Sequence, residues 1–264
     1  MLKTVVMKAM DKIRLTAITS LILFGVHLNG QELELVWEEN FNGDRLNTAN
    51  WNFELGDGCP DRCGWGNNER QIYTTKNHRL EEGFLYITAR KEAEGYTSTR
   101  ITTEGKKEFK YGRVEARLQL PSGTGVWPAF WMLGANMDEV GWPLCGEIDI
   151  MEYVGREPGT LYTTLHTKDS HGNSKNSRKA PVQDLEVGFH VFAIEWTETE
   201  IAFFVDDQHF YTFNPEERSV ETWPFDEPFY IILNLAIGGN FGGAEIDDSI
   251  FPVEYVVDYV RVFQ

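Results

Sequence analysis

Val114, Ala116, Leu118 and Leu120 alternate with Arg113, Glu115, Arg117 and Gln119. A period of two sends the two sets to opposite faces of an extended strand, whereas a helix would mix them. Phe84–Arg90 alternates in the same way, with Leu85, Ile87 and Ala89 on one side. Further strands are predicted over Leu161–Thr167, Phe189–Trp196, Ile201–Asp206, Phe229–Ile237 and Tyr255–Phe263. Turn signals such as Asn42-Gly43, Glu82-Gly83 and Asp206-Asp207 separate many of them. Helical periodicity is scarce after residue 30. The expected architecture is an all-β antiparallel sandwich, curved so that one face forms a groove.

The first 30 residues read as a secretory signal. Lys3, Lys8, Lys12 and Arg14 precede a mainly apolar run from Leu15 to Leu28, too short to span a bilayer comfortably. Cleavage is expected after Gly30, leaving residues 31–264 as one β-domain bound for the periplasm or the exterior. No later stretch is long and apolar enough for a membrane helix, so the processed protein is expected to stay off membranes. The alternative is an uncleaved N-terminal anchor. Processing would remove four basic residues and one acidic residue, taking the net charge from −17 to −20. Such a surface repels phosphate and disfavours nucleic acid and anionic membranes. It also argues against a highly sulfated polysaccharide, while a neutral glucan is not penalised.

Three cysteines leave at least one unpaired within the chain. Cys59 and Cys63 flank a Pro-Asp-Arg turn and can close a small loop in an oxidising compartment. Cys145, two residues before Glu147, is expected to be a buried free thiol close to the groove. The six histidines lack zinc-ligand spacing, and no P-loop, dinucleotide-binding or Gly-x-Ser-x-Gly signature is present. No organic cofactor is expected. The Ser- and Asn-rich stretch Lys168–Lys179 reads as a surface loop.

Glu147-Ile148-Asp149-Ile150-Met151-Glu152 puts three carboxylates into one short apolar segment. Strand interiors are depleted in Asp and Glu, and desolvating a carboxylate is costly. A solvated acidic face is one explanation. The alternation offers another, because Glu147 and Asp149 share a face while Ile148 and Ile150 share the other. Strict alternation would send Glu152 to the apolar side. One extra residue at Met151, as in a β-bulge, returns it to the face of Glu147 and Asp149. Two carboxylates about 5–5.5 Å apart are what a retaining glycosidase needs, and a third between them can keep one protonated by like-charge repulsion.

Other groove candidates have plain structural readings beside the functional ones. Trp127 and Trp131 lie four apart in Val-Trp-Pro-Ala-Phe-Trp-Met, fit either for core packing or for a sugar platform. Asn67 follows a Gly-Trp-Gly turn. Arg90 ends a strand as a possible surface cation, and His166 shares a face with Tyr162 and Thr164.

Taken together these segments resemble glycoside hydrolase family 16. Gly146–Glu152 is similar to that family's Glu-x-Asp-x-x-Glu signature. Gly64-Trp65-Gly66-Asn67-Asn68-Glu69, Tyr111–Arg117, Trp127–Met132 and Asn234–Gly239 follow in matching order, so the resemblance covers residues 33–264. It implies a concanavalin-like jelly roll with a concave glycan cleft and retaining endo-hydrolysis. By the resemblance, Glu147 is the nucleophile, Glu152 the general acid/base and Asp149 the carboxylate that tunes them. Asn67, Arg90, Trp127, Trp131, His166 and Asn234 match positions that line sugar subsites.

The extra residue Met151 sets the chain apart from the lichenase pattern, as does Ala236 where that pattern has Trp. The resemblance therefore implies an endo-1,3-β-glucanase of the laminarinase kind, acting as a monomer on β-glucan. Mixed-linkage glucan is second and galactan a distant third. A glucan-binding lectin on the same fold is the alternative from another class. The family also implies a structural Ca²⁺ held by Asp258, by the carbonyl of Gly83 and near Glu39. Here Glu38-Glu39-Asn40-Phe41 departs from the family's usual Asp-Glu-Phe.

Overall fold

The computed structural model describes residues 26–28 and 31–264. The alternating strand predicted around Val114 spans Gly112–Gln119. It lies between His190–Trp196 and Val253–Phe263. Val114, Ala116 and Leu118 are fully buried, as the period of two requires. The predicted strand Phe229–Ile237 has the expected bounds, and the other predicted strands shift by one or two residues at their ends.

Two sheets pack face to face. One runs Gln208–Phe213, Ile201–Val205, His190–Trp196, Gly112–Gln119, Val253–Phe263, Phe84–Glu92, Gly95–Ser98 and Gln71–Tyr73. Leu35–Glu39 and His78–Glu81 pair beside this path. Its pairings are antiparallel except for Gln71–Tyr73 with Gly95–Ser98. The other sheet runs Ser177–Pro181, Thr160–His166, Glu147–Tyr153, Val126–Gly134, Phe229–Ile237, Arg100–Thr102 and Asn52–Glu54, with Glu108–Phe109 also on Phe229–Ile237. This is the expected jelly roll of two antiparallel sheets.

One main core fills the space between the sheets. Phe130, Met132, Ile148, Met151, Leu165 and Leu233 enter from one side, and Ala116, Ile194, Leu85, Val257 and Val260 from the other. Each such side chain contributes about 1.5–3 kcal/mol on burial, so the alternation fixes the register of both sheets. The central strands of the second sheet spend one face on this core. Their opposite face carries the carboxylate segment among two smaller apolar clusters, around Leu133 and around Trp127.

Two details depart from the sequence reading. The loop predicted to run through Lys179 ends earlier, because Ser177–Pro181 adds an edge strand to Thr160–His166. An exposed edge strand of Ser, Arg and Lys has no apolar alternation to announce it. Arg113 and Glu115, on the polar side of their strand, are buried too. Arg113 is held by Glu115 at 2.8 Å, Glu195 at 3.2 Å and Asp207 at 2.8 Å.

Cys59 and Cys63 are disulfide-bonded, and Cys145 is buried and free. The expected signal segment lies outside the described residues apart from Val26–Leu28, which pair with Gln31–Leu33. Among the described residues no helix is long and apolar enough to cross a membrane.

Candidate active site

The strand Glu147–Tyr153 contains the predicted bulge. Against Val126–Gly134 the register runs Glu147 to Leu133, Asp149 to Trp131, Met151 to Phe130 and Glu152 to Ala129, leaving Ile150 without a partner. On its other side Asp149 faces Thr164 and Glu152 faces Tyr162, so Ile150 and Met151 together oppose Thr163. The extra position is thus Ile150–Met151 as a pair, with Ile150 the unpaired residue toward the tryptophan strand. Both side chains enter the main core. Thr163 fastens the bulge by donating its hydroxyl to the Asp149 carbonyl at 2.8 Å. Glu152 therefore returns to the face of Glu147 and Asp149.

Residues directly opposite on neighbouring strands share a face, so the register writes rows across the sheet. One row reads Tyr162, Glu152, Ala129, Asn234, Arg100, Glu54. The next reads Thr164, Asp149, Trp131, Ile232. A third reads His166, Glu147, Leu133, Tyr230. The three carboxylates thereby meet Trp131, His166 and Asn234 by backbone pairing alone. Trp127 joins the same face two residues before Ala129.

Each carboxylate has its own neighbours. Trp142 donates its indole N–H to Glu147 Oε2 at 2.7 Å. His166 Nε2 lies 3.7 Å from Glu147 Oε1 and 3.2 Å from Asp149 Oδ2. Trp127 donates to Glu152 Oε1 at 3.0 Å. Asp149 is almost fully buried and lies between the two glutamates in the chain. Burial first, and then the charge of Asp149, raises Glu152 well above the ordinary carboxylate range. The same two causes push Glu147 up to about 8, while His166 and the Trp142 bond pull the other way. Glu147 keeps more solvent than Glu152 and a shorter donor bond. Of the two it is the better able to carry charge.

The Gly172 N–H donates to His166 Nδ1 at 3.1 Å. That bond leaves Nδ1 bare and the ring proton on Nε2, toward the carboxylates. Burial disfavours a second proton, but contact with Asp149 and the charges of all three carboxylates outweigh it and lift the ring to about 9. The two effects compete, since an imidazolium would have to give up the Gly172 bond. In both states Nε2 bears a proton. Glu147, Asp149 and His166 present oxygen and nitrogen atoms within 4.8 Å of one another. With Nε2 as a donor they form a hydrogen-bonding and ionic cluster, not a set of metal ligands.

The predicted sugar-contacting residues divide. Trp127 packs in one cluster with Phe241 and Tyr162, and its N–H is committed to Glu152, so it braces that carboxylate from the side on the same face. Trp131 is partly open and donates to Asn234 Oδ1 at 2.8 Å. Asn234 donates in turn to the Tyr73 hydroxyl at 3.1 Å, so both ends of its amide are occupied. Asn67 is at the cleft's edge, donating to Glu69 Oε1 at 3.4 Å and accepting from the Asn240 N–H through its carbonyl.

Arg90 is not brought to the carboxylates. It lies on the opposite sheet, on the face away from Ala89 and the core, and donates to the Lys76 carbonyl. The cation on the carboxylate side is Arg100, whose guanidinium lies between Trp65 and Trp131 at 4.6 and 4.9 Å from their ring centroids and pairs with Glu54. Glu69, Gln71 and Tyr73 complete this cluster, with Gln71 donating to Glu69 at 2.6 Å. Trp142 and Arg100 had no role in the sequence reading, and Glu69 entered it only as part of the Gly64–Glu69 motif. A Trp-Pro step before the acidic motif was the one signal for Trp142.

The residues expected to hold calcium lie on or beside strands of the opposite sheet. Val257 pairs with Leu85 and Val260 with Glu39, so Asp258 sits where its neighbour changes from one strand to the other. Gly83 immediately precedes the first of these strands. The Glu39 carboxylate accepts from the Phe41 N–H, Asn50 and Trp51, which leaves only its backbone for a metal. Asp258 is ion-paired with Arg117. The donors are all oxygen, which suits a hard cation, provided that Asp258 shares its carboxylate with Arg117.

Residues 65–259 match the family described as Glycosyl hydrolases family 16. The chain is 41% identical to a beta-glucanase from Rhodothermus marinus, over 98% of this chain and 97% of that protein. The laminarinase from Flavobacterium sp. UMI-01 superposes with a TM-score of 0.86 at 61% identity, covering 88% of this chain and 100% of that one. An endo-beta-1,3-glucanase from Pyrococcus furiosus gives 0.84 at 44% identity, covering 91% and 97%. With its bulged carboxylate strand, two-sheet fold and matching sequence, the chain belongs to glycosyl hydrolase family 16.

Proposed function

We propose that the chain is an endo-1,3-β-glucanase that cuts internal bonds of laminarin-type glucan by double displacement, with net retention. The bulge at Ile150–Met151 carries this reading, since it turns Glu147, Asp149 and Glu152 to one face. The laminarinase and endo-1,3-glucanase among its relatives support the substrate. Glu152, kept protonated by burial and by Asp149, gives its proton to the glycosidic oxygen. Glu147 attacks the anomeric carbon as the bond to that oxygen breaks, forming a glycosyl ester. Glu152 then takes a proton from water, whose oxygen displaces Glu147 and restores both carboxyls.

Reducing-end release from laminarin, lichenan and agarose tests the substrate, and the first anomer seen by NMR tests the stereochemistry. Rapid release from laminarin with a β-anomer first is expected. An α-anomer would overturn double displacement. Cleavage confined to lichenan or agarose would overturn the substrate. Binding of laminarin without new reducing ends would leave the lectin reading in its place.

The accessory roles form part of the same reading. Residues 1–30 direct export, and the processed chain acts as a monomer outside the cytoplasm. A structural Ca²⁺ rests on Asp258, Gly83 and the Glu39 backbone. Chelation is expected to lower the melting temperature with no change in the pH dependence of activity, and an unchanged melting temperature would remove the calcium.

A further inference from the structure

Trp142 sits on the loop between Val126–Gly134 and Glu147–Tyr153, and it is 42% exposed. It belongs to none of the three buried clusters, so core packing does not account for its position. What fixes it is polar and local. Its N–H reaches Glu147 Oε2 at 2.7 Å, its ring meets His171 edge-on at 5.2 Å, and it leans on His166 at 5.9 Å. A large aromatic held over a cleft carboxylate by one hydrogen bond is costly to place unless that bond is used.

We propose that Trp142 is a positioning residue for Glu147, its indole N–H holding Oε2 so that Oε1 is presented to the anomeric carbon. This rests on Glu147 being the nucleophile of the reaction above. A neutral donor at this distance favours the ionised carboxylate without adding a competing charge. The titratable groups facing Glu147 are Asp149 and Glu152 on its own strand, Cys145 two residues before it, and His166 from the neighbouring strand. Of these, Asp149 opposes ionisation, Glu152 and Cys145 are held protonated, and His166 is shared with Asp149. Among the described residues, Trp142 is therefore the one neighbour whose bond is given to Glu147 alone. The second carboxylate of the pair is served likewise by Trp127, so each glutamate has its own indole donor.

The test uses the full processed chain and a 2-deoxy-2-fluoro-β-laminaribioside with a dinitrophenolate leaving group, whose ester with the nucleophile accumulates. Its rate of formation is followed against pH, and the labelled peptide is identified by mass. Trp142→Phe keeps the ring and removes the N–H; Trp142→Leu removes both. Because the residue is half-exposed, both variants are expected to unfold at nearly the wild-type temperature. Trp142→Phe is expected to slow ester formation roughly 10–100-fold and to move its acid limb up by about one pH unit, as loss of a donor to a charged group predicts. If Trp142→Phe matches wild type and only Trp142→Leu is impaired, the ring is what matters and the proposal falls. An unshifted acid limb with the label on Glu147 would likewise overturn it while leaving the nucleophile intact. A label on another residue would overturn the nucleophile itself.

Discussion

Trp127 and Glu152 are joined by a 3.0 Å hydrogen bond from the indole N–H to Oε1, across neighbouring strands of one sheet. The pairing follows from register, since Glu152 faces Ala129 and Trp127 lies two residues before Ala129 on the same side. A tryptophan that can be read as a sugar platform is thereby tied to the group proposed as proton donor. Its ring meets Phe241 edge-on at 5.4 Å, in a cluster that Tyr162 also joins, which restrains the N–H.

Replacing Trp127 by Phe keeps most of that packing and removes the bond. Glu152 loses a donor that stabilises its ionised form, so its already raised pKa rises further. Glu152 must be protonated to act as the acid, so the basic limb of kcat/KM moves to higher pH. A drop in kcat of about tenfold is expected from the lost alignment, with KM little changed. A large rise in KM at unchanged kcat would instead make Trp127 a sugar platform.

Glu147→Ala and Glu152→Ala should fail in different ways. Without Glu147 no ester forms, and added azide can enter from the vacated side to give an α-glycosyl azide. Without Glu152 the ester still forms from a substrate with a good leaving group, and azide opens it to a β-glycosyl azide. Loss of the acid/base is expected to cost about 10²–10⁴-fold on laminarin. Product configuration by NMR decides, and identical azide anomers from both variants would contradict the assignment.

The raised carboxyls also predict a cost in stability. An unfolded glutamate ionises near its ordinary 4.5, whereas burial and the charge of Asp149 hold the folded Glu152 protonated well above that. Above the ordinary value the folded state therefore binds more protons than the unfolded state, so stability falls as pH rises from about 4.5. Glu152→Gln removes one such group. Its melting temperature should exceed wild type at pH 7 by a few degrees, at about 2–4 °C per kcal/mol, and match it near pH 4. Calorimetry at the two pH values checks this, and an equal gain at both would assign the effect to something other than ionisation.

What the sequence revealed, and what it hid, follows from how local each signal is. Alternation placed Leu85, Ile87, Ala89, Val114, Ala116 and Leu118 correctly because each strand carries its own record of facing the core. The bulge was legible because three acids within six residues make chemical sense only on one face. Arg90 and Arg100 could not be told apart, since which arginine faces the carboxylates depends on which sheet its strand joins. Asn234 was matched to the cleft, but that Trp131 and Tyr73 use up its amide depends on strands remote in sequence. Trp142 lies on a loop, where no periodicity reports direction.

Gly146, immediately before Glu147, sets where the carboxylate strand begins. Its backbone has φ of 77°, and a Cβ there would lie 2.8 Å from Pro224 Cγ and 3.0 Å from Phe229 Cζ. Proline and a buried phenylalanine cannot swing aside as a flexible chain end would. Gly146→Ala therefore meets left-handed strain of about 1–2 kcal/mol and overpacking of about 1–3 kcal/mol together. Relieving both requires the backbone at Gly146 to move away from Pro224 and Phe229, which shifts Glu147 relative to Asp149 and His166. Denaturant unfolding should report a loss of roughly 2–4 kcal/mol, and kcat should fall even far below the melting temperature. A destabilised variant with wild-type kcat would mean that the strand start absorbs the change without moving Glu147.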